Sequence, residues 1–294
     1  LLKGGLMISK HIRRRLNLFC LLVLCLLLAG QSAWAARLND TFLDRLPQMC
    51  LDEKKHFSFA WIGDVQINFS LFEQALGKMK TDPDISFLLV GGDMMAEAEE
   101  SGFKAFLRRI ENVPFPVAAL PGNHDLIGDP NAILFRRYIG DGLTSFQAGN
   151  CYFILLWNTS GNIPRDVERD FDRVLLDLKR SQGIRHLFVC MHVPPFDPRK
   201  NAPGHSMNAS SARRFFARLK PLGTKERSVT VLSAHVHGCF FRERDGVKVV
   251  VSGGGGGALY GKGSEFFHHY MKITVDGARL LFTPVRLKKA QKKR

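Results

Sequence analysis

Six residues of this chain could hold metal ions, and each stands at the end of an apolar run. Asp64 follows Phe57–Ile62, Asp93 follows Ser86–Val90, and Asn123 follows Pro116–Leu120. His192 follows His186–Met191, while His235 and His237 follow Val229–Ser233. Three oxygen donors and three imidazoles suit borderline or hard divalent ions such as Mn, Fe or Zn. Donor sets of this kind act on phosphates as binuclear sites with the ions about 3.5–4 Å apart. One such Asp alone is more often a turn or cap residue, but the ordered set favours a metal site.

For these residues to meet, the apolar runs must be strands ending on a common rim. Phe69–Lys80 has helical spacing, with Phe72, Leu76 and Met79 on one face, and Glu100–Ile110 also reads as a helix. Strand, helix, strand, helix, strand at a spacing of roughly 30 residues marks βαβ units. In such sheets ligands bind beyond the carboxyl ends of the strands. The second half continues with a strand at Cys151–Trp157, a helix at Asp166–Arg180, the strand His186–Met191, a helix at Ser210–Lys220 and the strand Val229–Ser233. Asp245-Gly246 joins Phe240–Arg244 to Val247–Val251, and Asp276-Gly277 joins Tyr270–Val275 to Arg279–Thr283. Both dipeptides are hairpin turns. No repeat or linker divides residues 36–285, which read as one domain.

The chemistry-bearing segments are Gly63-Asp64-Val65-Gln66, Gly92-Asp93-Met94-Met95-Ala96, Gly122-Asn123-His124-Asp125, Met191-His192 and Ala234-His235-Val236-His237. Over about residues 57–285 this series resembles the calcineurin-like metallophosphoesterases. The resemblance implies an α/β fold, a four-layer α/β/β/α sandwich of two mixed sheets flanked by helices. It implies hydrolysis of a small phosphomonoester or phosphodiester by a metal-activated water at a site holding two divalent ions (Mn, Fe or Zn). By position, Asp93 would bridge the ions, Asp64 and His237 would hold the first, and Asn123, His192 and His235 the second. His124 would stand near the leaving group with Asp125 orienting its ring. Gln66 occupies the place of a family histidine, and as a neutral amide it is a weaker ligand than imidazole. Ala96 replaces the last Asp of the second motif, and Ala234 replaces a Gly. Two alternatives stay open: a non-catalytic binding protein on the same fold, and a nuclease.

The net charge of +15 suggests a polyanionic partner, but most of it lies at the ends. Five positive charges, Lys3, Lys10 and Arg13–Arg15, precede the apolar run from Leu16 to Gly30. With Ala33-Trp34-Ala35 they read as a signal peptide over residues 1–35, cleaved after Ala35. Export to the periplasm or beyond is therefore expected, with residues 1–6 upstream of a start at Met7. Six more charges lie in a basic tail, 286–294, leaving +4 for residues 36–285. No specific nucleic-acid partner is expected, and the tail is left a weak anionic-surface contact at most. Cys190 and Cys239 flank the ligand histidines, either as a disulfide or as buried thiols. His205 lies in a loop where it either lines the substrate pocket or does not. His186 reads as structural, and His268 and His269 as structural or surface residues. Gly253–Gly257 reads as a tight turn whose backbone approaches the metal rim, since it lacks the Lys-Ser/Thr of a phosphate loop.

Overall fold

A computed structural model describes residues 36–51, 56–66, 68–199 and 204–288. The expected signal peptide and the tail beyond Lys288 lie outside the described residues.

The described strands form one sheet of five and one of six. In the first, β1 (His56–Ile62), β2 (Ile85–Val90) and β3 (Val117–Ala119) run parallel. Antiparallel β10 (His269–Asp276) and β11 (Arg279–Arg286) extend it on the other side of β1. In the second, β5 (Cys151–Leu156), β6 (His186–Met191), β7 (Ser228–Ser233) and β9 (Val247–Ser252) run parallel. Antiparallel β4 (Leu143–Ala148) and β8 (Cys239–Arg244) form its edges. Both sheets are thus mixed.

Strands β1, β2 and β6 are apolar at nearly every position because both of their faces are covered. Phe57, Phe59 and Trp61 of β1 join a core with Phe87, Phe153, Phe188 and Leu232, which lies between the sheets. There Phe59 stacks on Phe87 at 5.1 Å and meets Phe153 edge-on at 5.0 Å. Such ring pairs contribute about 0.5–1.5 kcal/mol each beyond their buried area. The intervening residues, Ala60 and Ile62, join a second core with the apolar faces of helices. Helix α2 (Phe69–Lys80) supplies Phe72, Leu76 and Met79, and α3 (Glu100–Ile110) supplies Phe103 and Phe106. Helix α5 (Arg165–Arg180) supplies Phe171 and Leu175, and α6 (Ala209–Leu219) supplies Phe215 and Phe216. The layers are helix, sheet, sheet, helix.

Two short helices complete the set, α1 (Leu38–Arg45) and α4 (Ile133–Tyr138). Asn39 of α1 pairs its side-chain amide with both the N–H and the C=O of Ala119, at 2.9 Å each. That occupies the open edge of β3, where unpaired backbone would otherwise be exposed.

The disulfide weighed between Cys190 and Cys239 does not form, and both are buried free thiols. Cys190 lies in β6 and Cys239 in β8, with β7 and β9 between them. Three inter-strand steps of about 4.8 Å exceed the roughly 7 Å limit for bridged Cα atoms. Burial pushes the Cys239 thiol up to about 12, so it stays protonated.

Candidate metal centre

The ligand candidates come from the carboxyl ends of parallel strands in both sheets. Asp64, Asp93 and Asn123 follow β1, β2 and β3, while His192 follows β6 and His235 and His237 follow β7. The rim is therefore a seam between two sheets.

Backbone conformation aims these side chains. Asp64 (φ 59°), Gln66 (φ 48°), Asp93 (φ 55°) and His235 (φ 65°) all sit in the left-handed region. Asp and His tolerate it better than most residues. Three cross-links hold the turns. Asp64 N–H donates to Gly92 O at 3.0 Å, Gln66 N–H to Asp93 O at 2.8 Å, and Gly257 N–H to Asp64 O at 2.8 Å.

Asp64, Asp93 and His192 are buried, and each places one ligand atom within 4.8 Å of the others. His192 Nε2 lies 3.4 Å from Asp93 Oδ1, 3.0 Å from Asn123 Oδ1 and 3.2 Å from His235 Nδ1. His237 Nε2 lies 3.3 Å from Asp64 Oδ1. Asp64 Oδ2 accepts from His235 N–H at 2.9 Å, but the buried Oδ1 has no hydrogen-bond donor. A buried carboxylate oxygen in that state is costly unless a cation completes it. Backbone carbonyls fix the ring tautomers. His192 Nδ1 donates to Gly91 O at 2.8 Å and His237 Nδ1 to Ala258 O at 2.6 Å. Each arrangement turns Nε2 inward, as for a metal-ligating imidazole. The donor set therefore fits divalent ions.

The charge balance agrees. Burial alone would raise Asp93, but the charge and hydrogen bond of His192 hold it well below the usual carboxylate range. Burial likewise opposes charge on His192, yet Asp93 raises it to about 9. His235 is depressed to about 3 by burial and by the charge of His192. Burial raises Asp64, and Asp64 in turn raises His237 against the cost of burial. Protons on imidazole thus stand in for the positive charge that the carboxylates require.

One expected role is corrected. Asp125 does not orient the ring of His124. Its buried carboxylate accepts the N–H groups of Gly122, Asp93 and Met94, each at 2.8 Å, tying the turn after β2 to the turn after β3. Burial and the nearby Asp93 raise it to about 7. The ring of His124 is held instead by Ala96, whose carbonyl lies 2.8 Å from Nδ1. The anchor is the backbone of residue 96, so it does not depend on the Ala96 side chain.

The five-glycine loop backs the site. A Cβ on Gly253 would collide with Asp64 Oδ2, and one on Gly257 with His237 Cε1, while Gln66 Oε1 lies 3.1 Å from the same point. Neither glycine has a positive φ; both are needed for close approach, and they let Gln66 and His237 converge. His205 reaches the rim, with its ring 5.3 Å from that of His235. His186 is structural, bonded to Ser228 Oγ and Gly277 O. His268 and His269 are buried, and His269 bonds Ser252 Oγ.

Two site residues lie outside the motif series. Tyr260 stacks on His237 at 4.2 Å. Asn158 is buried after β5; its Oδ1 accepts from His192 N–H (3.1 Å) and Val193 N–H (3.0 Å), and its Nδ2 donates to Val193 O (2.6 Å). Asn158→Ala leaves three backbone groups unpaired, each worth about 1–3 kcal/mol when buried. A fall in melting temperature together with loss of metal affinity is expected by calorimetry; an unchanged melt would refute this account of Asn158.

A calcineurin-like phosphoesterase family model matches residues 57–239, and the chain belongs to that family. No curated protein sequence matches it. Among solved structures, a purple acid phosphatase from yellow lupin seeds, PPD1, aligns with a TM-score of 0.59 at 15% identity, covering 79% of this chain and 51% of that one. GAP50, the anchor in the inner membrane complex of Plasmodium, aligns with a TM-score of 0.54 at 15% identity, covering 81% and 91%. A putative 5'-nucleotidase from Staphylococcus aureus aligns at 0.50 and 14% identity, covering 79% and 54%. The chain thus spans about half the length of the lupin and staphylococcal proteins. These likenesses concern the fold, while family membership supports metal-dependent phosphoester hydrolysis in general.

Proposed function

We propose that this protein hydrolyses small phosphomonoesters or phosphodiesters with water activated at a binuclear metal site. The observation that carries this reading is the orphaned Asp64 Oδ1 facing His237 Nε2 beside the Asp93 and His192 pair. Asp64, Gln66 and His237 would hold one ion, Asn123, His192 and His235 the other, with Asp93 between them. When bound, two divalent cations lower the pKa of a water and offset charge on the phosphoryl oxygens. His124 would serve the leaving group. With Nδ1 anchored on Ala96 O, its Nε2 engages no protein group among the described residues. In this reading Nε2 would supply the proton that the departing oxygen needs.

One observation favours a second reading, a metal-poor binding scaffold: Gln66 is neutral where the family has a histidine. Hydrolysis of p-nitrophenyl phosphate and its bis ester, with and without Mn, separates the two. Turnover that depends on Mn, and that falls more than about a hundredfold in Asn123→Ala and His192→Ala, is expected for the enzyme. No turnover of either ester with any metal would favour the scaffold.

A further inference from the structure

One segment, residues 253–260, wraps His237 on several sides. Gly257 lies against Cε1, Ala258 O takes Nδ1, and Tyr260 covers a ring face with the planes 22° apart. Tyr260 is itself held in place. The guanidinium carbon of Arg199 lies 5.5 Å from its ring centre. Asp197 grips Arg199 through Nε at 3.0 Å and Nη2 at 2.7 Å. His205 packs on the same ring at 5.0 Å. Yet Tyr260 is 39% exposed and belongs to neither apolar core. Core packing therefore does not explain where its ring lies.

We propose that Tyr260 is a positioning residue for His237, fixing the imidazole plane so that Nε2 stays aimed at the Asp64 carboxylate and the first metal is retained. This rests on the reading of Asp64 and His237 as metal ligands. Gln66 supplies that site with a weak neutral donor, so retention leans on how well the strong ligands are pre-organised. Without the stack only the Nδ1 bond to Ala258 O would restrain the plane, and the ring would spend more time in rotamers that cannot ligate.

The test is a calorimetric Mn titration of the metal-stripped full chain. Wild type is compared with Y260F, Y260L, Y260M and H237A, with apo melting temperatures measured alongside. Wild type is expected to show two sites. Y260L and Y260M should each weaken one site by about 10–100-fold, the range for lost outer-shell support, and spare the other. Y260F should keep both, because the stack uses the ring and not the hydroxyl. Two non-aromatic variants guard against a folding defect in one. Wild-type affinity at both sites in Y260L or Y260M overturns the proposal, as does a loss in Y260F equal to theirs. If H237A also binds both ions normally, the ligand assignment itself has failed, and the proposal falls with it.

Discussion

Asp93→Asn is expected to lower metal-dependent hydrolysis by about a thousandfold or more, beyond the loss from one preorganised donor. Asp93 Oδ1 is the point where the two halves of the site meet: it accepts His124 N–H at 2.9 Å and lies 3.4 Å from His192 Nε2. The substitution keeps the shape. Asparagine tolerates the left-handed backbone of this position, and its carbonyl oxygen can still accept from His124. The N–H of residue 93 still donates to Asp125, since that bond uses only the backbone. What would disappear is the charge that both cations would share under the proposed binuclear reading. Elemental analysis should therefore find metal below two equivalents, with a circular dichroism spectrum like that of wild type. The metal-free variant should tolerate the change, because His192 can discard its proton and avoid an unpaired buried charge. Activity within tenfold of wild type would show that Asp93 does not bridge.

The fold was legible wherever periodicity was local. The apolar faces of Phe69–Lys80 and Glu100–Ile110 define α2 and α3 to the residue, and His186–Met191 defines β6. Elements shaped by tertiary contacts escaped. Helix α1 is only eight residues long, and its buried side mixes Phe42 with the polar Asn39, which serves the edge of β3. Helix α4 is six residues long, follows Ala132 in a left-handed conformation, and takes its first-turn cap from Asp129, which accepts the N–H of Leu134. Strand β4 carries Thr144, Ser145 and Gln147 at the edge of its sheet and reads as loop. The return of β10 beside β1 pairs residues more than 200 positions apart, which no local pattern encodes.

That Asp64, Asp93 and His192 come together was legible because metal chemistry demands particular residue types at strand ends. The same rule could have found Asn158, which directly follows the apolar run Cys151–Trp157 and fastens the His192 backbone. It lies outside the motif series, so only its position after a strand signals it. Tyr260 had no signal: its role comes from the loop that returns it over His237. The role of Asp125 was misread because adjacency to His124 along the chain says nothing about which way a side chain turns in a tight bend. It points to the N–H groups of the neighbouring turn, which a buried carboxylate needs more than a second imidazole.

Metal loading is expected to release protons near neutral pH, and apparent affinity should rise with pH up to about 9. In the metal-free protein His192 is raised to about 9, chiefly by Asp93 acting against burial. Its Nδ1 proton is committed to Gly91 O, so the proton that must leave is on Nε2, the atom that faces Asn123 and Asp93. A cation and that proton compete for one lone pair. Each displaced proton steepens the dependence by about tenfold in affinity per pH unit. The sign for the metal-free fold is opposite. A histidine raised above its unfolded value of about 6.5 stabilises fully below that pH, and the contribution fades as pH rises through about 9. The increase in melting temperature on adding Mn should therefore grow between these limits, since bound metal adds about 2.7 kcal/mol at a hundredfold excess over Kd just where the proton withdraws. Mn titrations in two buffers of different ionisation enthalpy count the protons released. Affinity that stays flat from pH 6.5 to 9 would mean that neither His192 Nε2 nor His237 Nε2, which Asp64 raises in the same way, gives up a proton to the metal.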